Sequence, residues 1–93
     1  MNLSHNKIVI IPKQLTKLEE LEELNLKTNS LETLPSNIGN LKNLIEISLE
    51  SNKLKEIPDS IEDLKKVKNL YLSHNQLEKI PESLSRLSLL RVL

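Results

Sequence analysis

The side chains that could perform chemistry are few in this sequence. The two histidines, His5 and His74, occupy equivalent positions of a repeating pattern. Three strand spacings, about 14 Å, would separate them, so they cannot bind one metal ion. Ser73 is adjacent to His74, but neighbouring strand residues point to opposite faces unless the corner bends, and no acid completes a triad. The chain has no cysteine and a single glycine, Gly39, which excludes a thiolate zinc site and a glycine-rich phosphate loop. We therefore expect no catalytic residue, no metal site and no cofactor.

The elements that carry these side chains follow from a repeat of 23 residues. Asparagine recurs with this period, and the four prolines of the chain fall at positions 12, 35, 58 and 81. A bundle of leucine-rich helices would not tolerate prolines at that spacing. The apolar columns are Leu3, Leu26, Leu49 and Leu72; Ile8, Leu31, Leu54 and Leu77; Ile11, Leu34, Ile57 and Ile80; Leu15, Ile38, Ile61 and Leu84; and Leu18, Leu41, Leu64 and Leu87.

Each repeat combines a short strand with a tight helical return. Ile47 and Leu49 alternate with polar residues, which is typical of a strand buried on one face. Pro58, followed by Ile61 and Leu64 three residues apart, indicates a short helical or 3-10 segment. In the equivalent turn we expect Gly39 to ease the change of direction.

Neither half of a repeat can bury its apolar side alone. The repeats must therefore stack into an α/β repeat solenoid, a right-handed coil with a continuous aliphatic interior. We expect a single domain over residues 1–93, with periods near 1–17, 18–40, 41–63, 64–86 and a partial period 87–93.

The recurring asparagines need hydrogen-bond partners, because an unpaired amide among leucines is costly. They lie at the corner where each strand ends, where the bending chain leaves backbone groups free. We expect a structural ladder of stacked amides formed by Asn6, Asn29, Asn52 and Asn75.

These residues carry a resemblance to a known family. Stretches 21–31, 44–54 and 67–77 resemble the leucine-rich repeat consensus. Their continuations, Leu34-Pro35-x-x-Ile38-x-x-Leu41 and Ile57-Pro58-x-x-Ile61-x-x-Leu64, are similar to the 23-residue type of Ras-pathway scaffold proteins, plant Ras-group-related repeat proteins and bacterial repeat proteins. The resemblance implies a leucine-rich repeat solenoid of about four repeats. Its parallel sheet would be concave, its short helical or 3-10 segments convex, and its use mostly protein recognition.

If the strands lie as in that family, the residues between the buried leucines face the concave surface. Tyr71 is the strongest candidate for partner binding, because a tyrosine on an exposed strand offers a large contact area and a hydroxyl group. The predicted columns of this surface are Glu23, Glu46, Asn69 and Val92; Asn2, Asn25, Ser48 and Tyr71; Ser4, Lys27, Glu50 and Ser73; and His5, Thr28, Ser51 and His74.

Charge and composition narrow the class of partner. The chain has 13 basic and 13 acidic residues, so we expect neither nucleic acid nor an acidic membrane surface as a ligand. Four carboxylates lie within residues 19–23 and three lysines within 65–68, a separation that could orient a partner. We expect a cytoplasmic location, because cysteine, a signal peptide and a membrane-length apolar run are lacking.

The outer repeats carry extra apolar residues. Val9 and Ile10 stand where other repeats have charged or polar residues, and Leu89 replaces Glu20 and its equivalents. The sequence predicts no polar cap at either end, and its last residues include Leu87 and the terminal Leu93. We expect that the repeats are part of a longer array or that the ends associate with each other.

The function that follows is a non-enzymatic protein-interaction module that binds a protein partner through its concave sheet. The alternative is a regulatory or substrate-recognition segment of a larger signalling protein, such as a Ras-linked scaffold, a GTPase, a kinase or a bacterial effector.

Overall fold

A computed structural model of the chain describes residues 1–82, 84, 91 and 92. Its sheet has the strands β1 (Glu23–Asn25), β2 (Glu46–Ser48), β3 (Asn69–Tyr71) and β4 (Arg91–Val92) in chain order, and neighbouring strands are parallel. An isolated parallel bridge joins Asn2 to Asn25 outside β1. The expected solenoid with a parallel sheet is confirmed.

The register of the first three strands follows the 23-residue period. Glu46 lies opposite both Glu23 and Asn69, and Ser48 lies opposite both Asn25 and Tyr71.

The fourth strand departs from the period. We expected Val92 opposite Asn69, but Arg91 takes that place and Val92 lies opposite the buried Leu70. The expected pairing of Val92 with Asn69 is therefore wrong, because the partner of Asn69 lies one residue earlier than the 23-residue period predicts.

The return segments are 3-10 helices, which we label η1 (Lys13–Lys17), η2 (Ile38–Asn40) and η3 (Asp59–Asp63). Each repeated proline starts the turn by accepting a hydrogen bond from the backbone N–H three residues later. These bonds are Leu15 to Pro12 at 3.0 Å and Ile38 to Pro35, Ile61 to Pro58 and Leu84 to Pro81, each at 3.1 Å. The fixed φ of proline suits this position, and its missing N–H is not required there.

Gly39 has a packing role and not the conformational role we expected. Its φ is not positive, so the backbone does not require glycine. A Cβ atom at this position would lie 2.6 Å from the carbonyl oxygen of Ser60 and 2.8 Å from Cβ of Asp63. Gly39 therefore allows η2 to approach η3 closely.

The core is an aliphatic column that runs through the middle coils. Leu26, Leu49, Leu41 and Leu64 are at most 1% exposed. Two column members in the outer coils are less covered: Leu18, of the Leu41 and Leu64 column, is 43% exposed, and Ile80, of the Leu34 and Ile57 column, is 56% exposed. These two were expected in the interior, whereas Ile11, which lies in the first coil and belongs to the column of Ile80, is buried as expected at 3% exposed. Leu87, Leu89 and Leu93 lie outside the described residues.

The asparagines bind backbone groups of two successive coils. Asn52 Nδ2 donates to the carbonyls of Leu49 and Leu26, both at 3.0 Å, and Oδ1 accepts from the N–H of Leu31 at 3.0 Å. Asn29 and Asn75 repeat the arrangement one coil away. These side chains therefore bond the backbone groups that the corner leaves open, as expected, and within the described residues no amide of this series bonds to another.

Candidate interaction surface

The open face of the sheet is formed by the outward residues of β1, β2 and β3. Burial alternates along each strand, with Leu24, Ile47 and Leu70 at most 1% exposed. The flanking residues face away from the core because successive side chains of a strand alternate. The open face comprises Glu23, Asn25, Glu46, Ser48, Asn69 and Tyr71, which all belong to the predicted binding set.

Three of these side chains form a polar cluster around one carboxylate. Tyr71 donates its hydroxyl to Oε1 of Glu46 at 3.4 Å, and Asn69 Nδ2 lies 3.5 Å from the same oxygen. All three residues are half-buried. These distances are at the long end for hydrogen bonds, so the contacts orient the Glu46 carboxylate without satisfying it fully.

A second carboxylate lies beside this cluster. Glu23 is exposed and is the direct cross-strand neighbour of Glu46. Like charges in that position are destabilising. A depression of about 220 Å³ lies here, lined by Met1, Asn2, Glu23, Leu24, Asn25, Glu46 and Ser48.

The residues after the strands occupy the corner of each coil. Lys27 and Ser73 are exposed, whereas Glu50 is half-buried and its Oε1 is buried without a hydrogen-bond partner in the described part of the chain. An unpaired buried carboxylate oxygen is costly unless a donor reaches it.

The next position has a left-handed backbone. His5, Thr28, Ser51 and His74 have φ angles of 57°, 56°, 58° and 58°. The sequence predicts that these residues form a strand column, but this conformation turns the chain away from the sheet. They lie at the corner of each coil, outside the strands.

The described residues contain no cluster of histidine and acidic side chains that could hold a metal ion. Nor do they include a helix long and apolar enough to span a membrane.

Sequence reasoning missed the contacts at the edge where each coil enters its strand. Asn43 Nδ2 donates to the carbonyl of Glu19 at 2.8 Å, and Lys66 Nζ donates to Asn43 Oδ1 at 2.9 Å. The repeat could have predicted the second contact, because Asn43 and Lys66 are 23 residues apart and therefore lie side by side on successive coils.

Comparisons with known proteins agree with this geometry. The family model described as leucine rich repeat matches residues 20–77 and 42–93. A solved structure of a leucine-rich repeat protein from Leptospira interrogans is similar to 98% of this chain, with 38% identity and a TM-score of 0.86. This chain spans 24% of that protein's length. No curated protein matches the chain.

Proposed function

The chain belongs to the leucine-rich repeat family, and we propose that it is a non-enzymatic protein-interaction module. Leucine-rich repeats are generally an interaction fold that carries no active site of its own. The partner is a protein that binds to the open face, which is the concave sheet of this fold.

The observation that carries the proposal is the cluster of Tyr71, Glu46 and Asn69. Tyrosine is enriched at the residues that dominate binding energy, because a rigid aromatic ring buries a large area at little entropic cost. The Glu46 carboxylate beside it receives only long hydrogen bonds. A donor of the partner would complete the cluster.

The backbone around the cluster supports binding without reorganisation. Strand register fixes Tyr71 and Glu46 on adjacent strands, and the asparagine links hold the following corners. Preformed strands lose little conformational freedom when a partner binds.

The test is affinity capture from an extract of the source cells, comparing the parent chain with Tyr71→Ala and Glu46→Lys. We expect a specific protein to be retained by the parent and its affinity to fall by roughly tenfold or more in either variant, the loss typical of a binding hot spot. The purified partner then gives dissociation constants by calorimetry.

Two controls lie away from the open face. Lys55→Ala and Glu56→Lys change exposed residues outside the strands and should leave capture unchanged. If the partner is retained equally by the Tyr71 and Glu46 variants but lost by these controls, the binding site lies elsewhere on the solenoid.

A second proposal is that these repeats are the regulatory or substrate-recognition segment of a larger signalling protein. What favours it is the match to a chain about four times as long, of which this chain spans 24%. Sequencing of the full reading frame and its neighbouring domains tests this directly.

A further inference from the structure

The edge where each coil enters its strand carries an ordered strip of charges. Three coils stack in register there, since Ile45 N–H donates to the carbonyl of Glu22 and Lys68 N–H to that of Ile45, both at 2.7 Å. We call the six residues Glu20, Glu22, Asn43, Ile45, Lys66 and Lys68 the edge strip. Five of them line one depression of about 290 Å³, so they share one surface.

Charge changes sign along this strip. Equivalent positions read Glu20, Asn43 and Lys66 in one column and Glu22, Ile45 and Lys68 in the other. The coil of Glu20 and Glu22 is thus acidic, the next coil is neutral and the one after it is basic.

The charges of the strip are available to a partner. All four are exposed. Within the described residues, the side chains of Glu20, Glu22 and Lys68 form no hydrogen bond or ion pair, and Lys66 bonds to the neutral Asn43. The acidic and basic coils are two strand spacings apart, about 10 Å, so they neutralise each other only weakly in salt.

We propose that the edge strip binds the edge strip of a second copy of this chain, with two-fold symmetry. A two-fold axis through the neutral middle coil reverses the order of the three coils. The acidic coil of one copy then lies opposite the basic coil of the other. Glu20 and Glu22 of each copy then face Lys66 and Lys68 of the other. The half-buried Ile45 of each copy lies near the axis and packs against its counterpart.

Charge complementarity selects a second copy as the occupant. A partner must present the opposite order of charges at the spacing of the coils. A second copy does so, because the two-fold axis reverses the order of its own charges. Such a two-fold interface closes on itself and adds no further copies. Lys42 lines a neighbouring depression together with Glu19 and the strip residue Asn43 of its own copy.

The dimer formed in this way is weak and sensitive to salt. Exposed ion pairs each contribute at most about 1 kcal/mol, and the apolar contribution comes mainly from one isoleucine. The concave sheet stays free, because the edge strip contains no residue of the open face.

Sedimentation of the purified chain tests the proposal. At roughly 0.5 mM protein and low salt, we expect a monomer–dimer equilibrium whose association constant falls about tenfold or more in 0.5 M salt. A basic variant, Glu20→Lys with Glu22→Lys, and an acidic variant, Lys66→Glu with Lys68→Glu, should each stay monomeric. Their equimolar mixture should form a heterodimer.

Matched controls carry the same charge changes elsewhere. Lys53→Glu with Lys55→Glu, and Glu32→Lys with Glu56→Lys, change exposed residues off the strip and should dimerise as the parent does. A monomeric parent, growth beyond a dimer, or a mixture of folded strip variants that stays monomeric would each overturn the proposal. Circular dichroism of each variant establishes that it is folded.

Discussion

At the scale of single residues, the repeated asparagines hold successive coils together. Each side chain of Asn29, Asn52 and Asn75 bonds its own coil and the coil before it, so one residue closes three backbone groups that the corner leaves open. Asn6 makes bonds only within its own coil. The same residue type therefore contributes differently in the middle and in the first coil.

We expect Asn52→Ala to reduce the free energy of unfolding by about 1–3 kcal/mol more than Ser51→Ala, because it leaves buried backbone groups unpaired. Ser51 is at a φ of 58°, and alanine suits that angle no better and no worse than serine. Urea unfolding of both variants measures the difference. Asn6→Ala is the control at the same repeat position and should cost less; equal losses for Asn52→Ala and Ser51→Ala would contradict this account.

The left-handed backbone at the corners is strained. Thr28 is β-branched and has a φ of 56°, a conformation that asparagine tolerates better than branched residues. We expect Thr28→Asn to raise the free energy of unfolding by about 1 kcal/mol through relief of this strain. Thr33→Asn is the matched control, since Thr33 does not have a positive φ; similar changes at both positions would show that the corner is unstrained.

At the scale of elements, the approach of η2 to η3 depends on a missing side chain. Gly39→Ala should reduce stability by about 1–3 kcal/mol, because its Cβ would overlap a backbone carbonyl that cannot move independently. Asn40→Ala, at an exposed position of the same 3-10 helix, should change stability little. Thermal unfolding of the two variants measures this, and a Gly39→Ala protein as stable as the parent would mean that the helices separate freely.

The strands could be predicted from the sequence, whereas the conformation of the corners and the register of the last strand could not. The alternation around Ile47 and Leu49, repeated every 23 residues, predicted the strands and the outward columns, because register and burial both follow from the spacing of apolar side chains. It could not predict the left-handed corner at Thr28, which arises from backbone geometry without a glycine to mark it. The shifted register at Arg91 was missed because it breaks the period.

The candidate site could be predicted only in part, because the repeat determines which face a residue occupies but not which side chains it contacts. Periodicity placed Glu46 and Tyr71 on one face, since every second strand residue points outward. It gave no indication that the Glu46 carboxylate would accept from both Tyr71 and Asn69 of the next strand. That contact depends on side-chain length and rotamer, which the spacing of leucines does not constrain.

At the scale of the whole molecule, stability comes from contacts between neighbouring coils. A coil in the middle is covered on both sides, as the complete burial of Leu49 and Leu54 illustrates. A coil at the start is covered on one side, and Leu3 and Ile8 of the same columns are only half-buried. In such a nearly one-dimensional array, the cost of a core substitution depends on the coil in which it is made.

The leucine column gives a direct test of this dependence, because one substitution can be made at two depths. Leu49→Ala, in a position that is 0% exposed, should reduce the free energy of unfolding by about 2–5 kcal/mol. Leu3→Ala, at the half-buried equivalent position, should cost about 1 kcal/mol, since water already reaches part of the side chain. Urea unfolding, analysed with one m-value for both variants, compares their free energies of unfolding. Equal losses would mean that the first coil is as well covered as the middle, and that stability does not follow the number of neighbouring coils.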